Sequence, residues 1–414
     1  MFRFRLAHLG LAMAAIGFTL AQPLVGLGPV AHAAVSAEVG KHLQAAQELM
    51  KKGKYKEAMA KVNDADRAGG KTATDSYTIE GMRASIATSL GDKATAARAY
   101  EALLASGKVP AGEQSNYVKA IAGNYYSLKE YSKAVVWINR YLKEGGNDPQ
   151  MRALLTQTQF LTGNCAQVVK DIQGDLRASE RSGRPLGEDQ LQILANCANK
   201  QSDKAAYVMA IEKLAFAYPK KEYWADLLNR VQGKPGFSGR LTLDLYRLKL
   251  AVGQMKESAK FMEMAQMSLQ AGAPAEALRI LEVGYKAGAL GTGPEAERQK
   301  RLKDLATKAL ADDEKRLPVA QAEAIKGKDM DALFTVGFAM AQAGQYDKGL
   351  PLMEQALAGT MKRPEDAKLH LALCHLLAGK KADALKMLKT VGGDDGTADL
   401  ARYWTAQINR PFSG

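Results

Sequence analysis

The sequence predicts an all-α protein built as a linear array of helix pairs, and three observations carry that expectation. Aromatic residues are only 7% of the 414 residues while Ala, Leu, Lys and Met are plentiful, a balance that favours helix over strand. A short turn signature returns along the chain at a near-constant interval. Apolar residues make up 47%, enough to bury a large core and to exclude a wholly disordered chain.

The first element is an address. Met1-Phe2-Arg3-Phe4-Arg5 is a basic start, Leu6 to Ala21 is apolar, and Ala31-His32-Ala33 offers a small-x-small exit. That order describes a secretory signal peptide over residues 1–33, with the mature chain beginning at Ala34. The leader has a bacterial character, so the expected location is the periplasm. The first cysteine is Cys165, which excludes a lipid anchor through an N-terminal cysteine. No later apolar run approaches roughly 18 residues, so no membrane span is expected after cleavage. Without Arg3 and Arg5 the chain keeps 55 basic against 44 acidic residues, a charge of +11. This moderate excess suits a Lys-rich solvated surface or an acidic partner. Without a basic stripe or interleaved aromatics, nucleic acid is not an expected partner.

The repeat follows. Leu49-Met50-Lys51-Lys52-Gly53-Lys54-Tyr55 recurs as Ser89-Leu90-Gly91-Asp92-Lys93 and Ser127-Leu128-Lys129-Glu130-Tyr131. Further copies centre on Gly163, Gln201, Gly272, Gly344 and Gly379. Most spacings are 34–38 residues; two, of 71 and 72, are twice the unit and leave room for degenerate copies turning at Gly239 and near Lys308. The mean period is about 36 residues. A glycine here ends the first helix with φ > 0. Small residues at Ala122, Ala265 and Gly337 let paired helices approach.

This pattern resembles the tetratricopeptide repeat. The copy Leu333, Gly337, Gly344, Tyr346, Gly349 and Ala356 follows the family's order, as does Ala122, Tyr125, Tyr131, Ala134 and Tyr141 closed by Pro149, with Pro219 closing the fifth unit. The resemblance spans roughly residues 38–390 and implies a right-handed superhelical α-solenoid of about nine or ten units. Three divisions are expected: an N-terminal array over 34–235, degenerate repeats with a long charged segment over 236–330, and a C-terminal pair with a capping helix over 331–414. Gly233 to Gly239 is too rich in Gly and Pro for helix and lengthens a turn. Pro294 to Arg316 reads as one long helix or an irregular pair, and Pro318 as the start of a new segment. Thr397 to Asn409 reads as the cap that covers the last repeat's apolar face.

Catalytic chemistry is sparse. The mature chain keeps only His42, His370 and His375, and the last two lie five apart, about 140° around a helix. They read as packing or surface residues, unlike the i, i+4 spacing of zinc helices. No Gly-x-Ser-x-Gly elbow and no phosphate loop occur. No catalytic residue, metal site or cofactor is expected, and an enzyme is not.

On the repeat register, Cys165 begins the second helix of the fourth unit and Cys197 lies late in the first helix of the fifth. Two readings stand: a disulfide clamping adjacent repeats, worth about 3 kcal/mol for a 32-residue loop, or two small buried thiols. Cys374 reads as a core thiol. Met255, Met262, Met264 and Met267 cluster, and core packing is the reading for them.

The family lines a concave groove with the first helix of each unit. The resemblance places Asn116, Lys119 and Tyr126 there from the third unit, and Gln157 and Phe160 from the fourth. Met262, Gln266 and Leu269 follow from the seventh, and Phe334 and Phe338 from the ninth. The family's carboxylate clamp for chaperone tails is not implied, because the second unit offers Gly81 and Ser85. The expected ligand is an extended or helical peptide.

Three segments narrow the resemblance. They are Ala210 to Pro219 followed by Trp224, Ala265 through Gly284 into Tyr285 to Gly288, and Lys362-Arg363-Pro364 running on to Tyr403-Trp404. In order and spacing they are similar to the periplasmic repeat proteins that accompany TonB–ExbB–ExbD systems. This implies a non-catalytic scaffold or adaptor in a cell-envelope complex tied to TonB-dependent outer-membrane transport. The alternative is an envelope biogenesis factor engaging peptidoglycan, polysaccharide or outer-membrane assembly machinery.

Overall fold

The computed structural model describes residues 35–183 and 185–412. The expected signal peptide, residues 1–33, lies outside them. Among the described residues there are twenty α-helices and no strand. No described helix is long and apolar enough to cross a membrane. The chain divides into two compact units that part between Tyr207 and Val208. The expected boundaries at 235 and 330 both fall inside the second.

The first unit contains α1 (Ala37–Lys51), α2 (Tyr55–Arg67), α3 (Ala73–Leu90), α4 (Lys93–Ala105), α5 (Ala111–Ser127) and α6 (Tyr131–Lys143). It continues through α7 (Pro149–Leu161), α8 (Cys165–Ser182) and α9 (Glu188–Lys200) into the start of α10 (Lys204–Ala217). Each pair is closed by one device. The amide five residues beyond a carbonyl donates to it: Lys54 N to Leu49 O, Asp92 N to Ala87 O, Glu130 N to Tyr125 O, Asn164 N to Gln159 O and Asp203 N to Ala198 O, all at 2.9 Å. This bond needs a left-handed residue beside it. Gly53, Gly91 and Gly163 supply it at φ 70°, 72° and 78°, and Lys129 supplies it at 62°. In the fifth turn the left-handed residue is Ser202, at 59°, one position after the expected Gln201.

Small side chains set the spacing within these pairs. Ala58, Ala96, Ala97 and Ala134 are all buried against neighbouring helices, and Ala122 is fully enclosed. Asp75 fastens the start of α3: it accepts from the amides of Thr72 and Ser36 at 2.8 Å each, while Thr72 Oγ1 accepts from Asp75 N. The backbone donor of Thr72 is the main reason its carboxyl sits below the usual carboxylate range. Pro149 opens α7 as its first helical residue rather than closing the unit before it, with Asp148 as the cap.

The second unit runs through α11 (Lys221–Gln232), a single 3₁₀ turn (Gly239–Leu241), α12 (Thr242–Ala251), α13 (Ser258–Gln270) and α14 (Pro274–Lys286). It ends with α15 (Ala296–Gly327), α16 (Met330–Gln342), α17 (Tyr346–Leu357), α18 (Pro364–Leu377), α19 (Lys381–Leu388) and α20 (Thr397–Asn409). The expected turn at Gly239 is absent; that residue starts the 3₁₀ turn, and the tight turn comes at Gly253, where Gln254 N donates to Lys249 O. No turn falls near Lys308 and Pro318 starts nothing, because α15 is one helix of 32 residues. From Ala296 to Leu317 it holds neither Gly nor Pro, and Gln299, Leu302, Ala306, Asp313, Leu317 and Ala324 form its buried seam. Pro318 and Glu314 are both exposed, so water can serve the carbonyl that the proline leaves without a donor.

Helix pairing is tightest between α16 and α17. A Cβ on Gly337 would lie 2.7 Å from the Gly349 carbonyl, and one on Gly349 would lie 2.6 Å from the Ala341 amide nitrogen. Only paired glycines allow that approach.

The second unit also ties its beginning to its end. Arg240 forks onto Asp366 at 2.8 and 2.9 Å and also reaches Asp395. Lys234 meets Asp399 at 2.6 Å, and Arg402 forks onto Glu212 at 2.9 and 2.8 Å. Ser238 N donates to Asp395 O, and Phe237 fills the space a side chain on Gly396 would need. Thr397 and then Arg240 hold the Asp395 carboxyl down to about 2. The cap expected at Thr397–Asn409 is α20, and it covers the unit's first helices as well as its last pair.

Candidate functional site: a first-helix face in the first unit

The ten expected groove residues fall five in each unit. In the first unit, Tyr141 organises their surroundings. Its ring occupies the space a Cβ on Gly146 would need, and its hydroxyl accepts from Asp148 N at 3.2 Å. Asp148 caps α7 by accepting from Gln150 N, and its other oxygen meets Lys119 Nζ of α5 at 3.5 Å. Lys119 also lies 5.9 Å from the Tyr141 ring centroid. The α6–α7 loop thus sets α7 beside α5, two first helices of successive pairs.

Asn116 is exposed on this face, and Lys119, Tyr126 and Gln157 are half-buried. Tyr126 stands against Tyr131 with ring centroids 5.7 Å apart, and burial pushes its hydroxyl above the ordinary tyrosine value. It therefore stays a neutral donor and acceptor at physiological pH. Phe160 is different: it is only 7% exposed, and Lys200 Nζ lies 4.9 Å over its ring. The face available to a ligand is amide, ammonium and phenol, and the Phe160 ring is not part of it.

In the second unit, Gln266 is exposed and Leu269 half-buried, while Met262, Phe334 and Phe338 are core residues. Phe338 is interior because a charged network lies against it. The Arg247 guanidinium lies 5.5 Å from its ring centroid and the His370 ring 5.3 Å away. Arg247 forks onto Glu276 at 2.7 and 2.6 Å and donates to Asp244 at 2.6 Å, and His370 Nε2 meets Asp244 at 2.8 Å. Burial raises the Asp244 and Glu276 carboxyls, but His370 and Arg247 for the first, and Arg247 for the second, overcome it and hold both below the usual range. His370, expected as a packing or surface residue, is instead a polar link between α18 and α12. The sequence hid this because Asp244 is 126 residues away.

Cys165 and Cys197 are joined, with sulfurs 2.28 Å and Cα atoms 4.9 Å apart. Cys374 is buried, and burial pushes its thiol up to about 12. Among the described residues no group of three or more His, Cys, Asp or Glu is placed to hold a metal ion. Met255 and Met264 are buried and pack in the second unit's core.

Residues 340–408 match the family model described as tetratricopeptide repeat. This stretch is similar to tetratricopeptide repeats. It holds the end of α16, the Gly344 and Gly379 turns and nearly all of α20. No curated protein matches the chain. Among solved structures, a chain of the Naa15/Naa10 complex bound to HypK-THB is 14% identical with a TM-score of 0.30, over 88% of this chain and 58% of that one. The present chain thus spans little more than half of that neighbour's length. Yeast Tom70 is 12% identical with a TM-score of 0.23, over 90% of this chain and 94% of that one. The tetratricopeptide domain of P58(IPK) is also 12% identical with a TM-score of 0.23, over 90% and 98%. The fold described above rests on the helix pairs themselves. Repeats of this kind are typical of non-catalytic scaffolds that bind protein or peptide partners.

Proposed function

We propose that the protein is a non-catalytic adaptor of the bacterial periplasm, holding a protein or peptide partner of a TonB-type envelope complex on the α5–α7 face. The carrying observation is that face: Asn116, Lys119, Tyr126 and Gln157 are exposed or half-buried on two successive first helices linked by the Lys119–Asp148 ion pair. Mixed donors and acceptors beside a phenol suit the backbone and side-chain amides of a bound segment. Two features support an exported location. The basic, apolar and small-residue order of residues 1–33 is that of a leader. A joined Cys165–Cys197 pair belongs to an oxidising compartment. The similarity of three segments to TonB-associated repeat proteins supports the choice of complex.

Photo-crosslinking in living cells from positions 116, 126 and 157, followed by mass spectrometry, tests this. Adducts with TonB, ExbB or ExbD are expected. Adducts with wall-synthesis or outer-membrane assembly proteins would move the protein to the biogenesis reading. Silence at all three positions would remove the α5–α7 face from the mechanism.

A further inference from the structure

A second site lies in the second unit, where α11, α12 and the start of α13 enclose a cleft of about 330 Å³. Its size is at the small end for organic ligands, too narrow for a folded partner. Tyr246 lines it, and two ammonium groups lie near its ring, Lys249 at 6.0 Å and Lys260 at 5.4 Å from the centroid. Lys260 is satisfied: it donates to the Tyr246 hydroxyl at 3.0 Å and pairs with Glu263 at 2.8 Å. Lys249 is not. It is half-buried, beyond the Tyr246 ring it meets only Asn229 Oδ1 at 3.5 Å, and among the described residues it pairs with no carboxylate. Burial first, then Lys260, lowers its pKa from the ordinary lysine value. The neighbouring Lys221 lowers the pKa of Lys256, and Glu257 lines the cleft. Among the lining residues two lysines therefore face one glutamate. A half-desolvated ammonium without a counter-charge costs free energy that a bound anion would recover.

The rest of the lining defines the body of that anion. Asn229, Gln232 and Gln254 present side-chain amides, Gln254 Nε2 already donating to Lys221 O at 3.1 Å, and Ala225 and Met255 present apolar atoms. Hydroxyl groups need donors and acceptors together, and a sugar ring adds a C–H face for the apolar wall. We propose that this cleft binds a sugar acid, a uronate unit of an acidic oligosaccharide, with its carboxylate on Lys249 and its hydroxyls on the three amides. The proposal does not depend on the α5–α7 face.

The test is calorimetric titration of the mature chain with digalacturonate at low salt, beside its methyl ester, cellobiose and acetate. Saturable binding of digalacturonate is expected, with the ester and cellobiose at least tenfold weaker and acetate weaker still. Lys249→Met should weaken digalacturonate at least tenfold while the thermal midpoint is held or raised, since removing an unpaired buried charge does not destabilise. Should Lys249→Met fail to fold, Asn229→Ala on the exposed end of α11 gives the second reading, with a several-fold loss expected. Affinity should also fall as pH rises and Lys249 loses its proton. No saturable binding, equal binding of the ester, binding equal to that of acetate, or binding indifferent to both variants would each overturn the proposal.

Discussion

His375 shows how much a single side chain can decide. It is 5% exposed, its Nδ1 has no hydrogen-bond partner among the described residues, and Nε2 is 3.6 Å from an exposed Glu354. Burial is the main reason its pKa falls below 6.5; Glu354 and Asp383 oppose that weakly and Lys380 reinforces it. A histidine with a depressed folded pKa stabilises the fold fully above its unfolded value near 6.5, and that contribution is lost as pH falls through the folded value. The thermal midpoint should therefore drop between pH 7 and pH 5 by more in the native protein than in His375→Leu. Parallel pH profiles for the two would refute the assignment. From the sequence both histidines read as packing or surface residues, and His375 is buried in the apolar run around it. His370, five residues earlier, is misread because its partners Asp244 and Arg247 come from a helix far off in the chain.

At the scale of helices and pairs, glycine spacing is the strongest signal and the structure uses it twice over. Gly344 supplies the turn, while Gly337 and Gly349 let α16 and α17 touch backbone to backbone. Gly349→Ala should cost about 1–3 kcal/mol by overpacking, measured as a shift in the urea midpoint. A change under about 0.5 kcal/mol would mean that the two helices slide apart freely. The joined cysteines act at the same scale, tying α8 to α9 across the boundary between two pairs. A thiol titration in denaturant without reductant should find one reactive thiol, Cys374; three would show the bridge is not formed.

Elements with a periodic signal were legible: the turns at Gly53, Gly91, Lys129, Gly163, Gly272, Gly344 and Gly379 sit where the spacing puts them. Reading failed where local chemistry is ambiguous. Gly239 and Gly253 both offer a turn, and only the packing of α12 selects the second. Pro318 reads as a start because proline breaks a buried helix, whereas on an exposed face its cost is small enough for α15 to run through it. The groove residues were legible as positions on first helices. Their exposure was not, because Lys200 covers Phe160 and the Arg247 network encloses Phe338.

At the scale of a whole unit, the second one is held by charge between its opening and closing segments. Arg240 is the centre of that seam, sharing Asp366 and Asp395. Partly exposed ion pairs contribute modestly, so Arg240→Ala should cost about 1–2 kcal/mol. Hydrogen exchange should quicken in residues 233–251 and in α20 together. Faster exchange on one side alone would mean the two segments are not coupled.

That seam also fixes an order of events. Lys234 waits for Asp399, 165 residues further on, and Arg240 waits 126 residues for Asp366. At a synthesis rate of about 5–20 residues per second, Lys234 emerges roughly 10–30 s before its partner. Throughout that interval the α11–α12 segment has its cations and Phe237 without their counterparts, so the seam forms last. The seam of the second unit is thus completed only once α20 has been made.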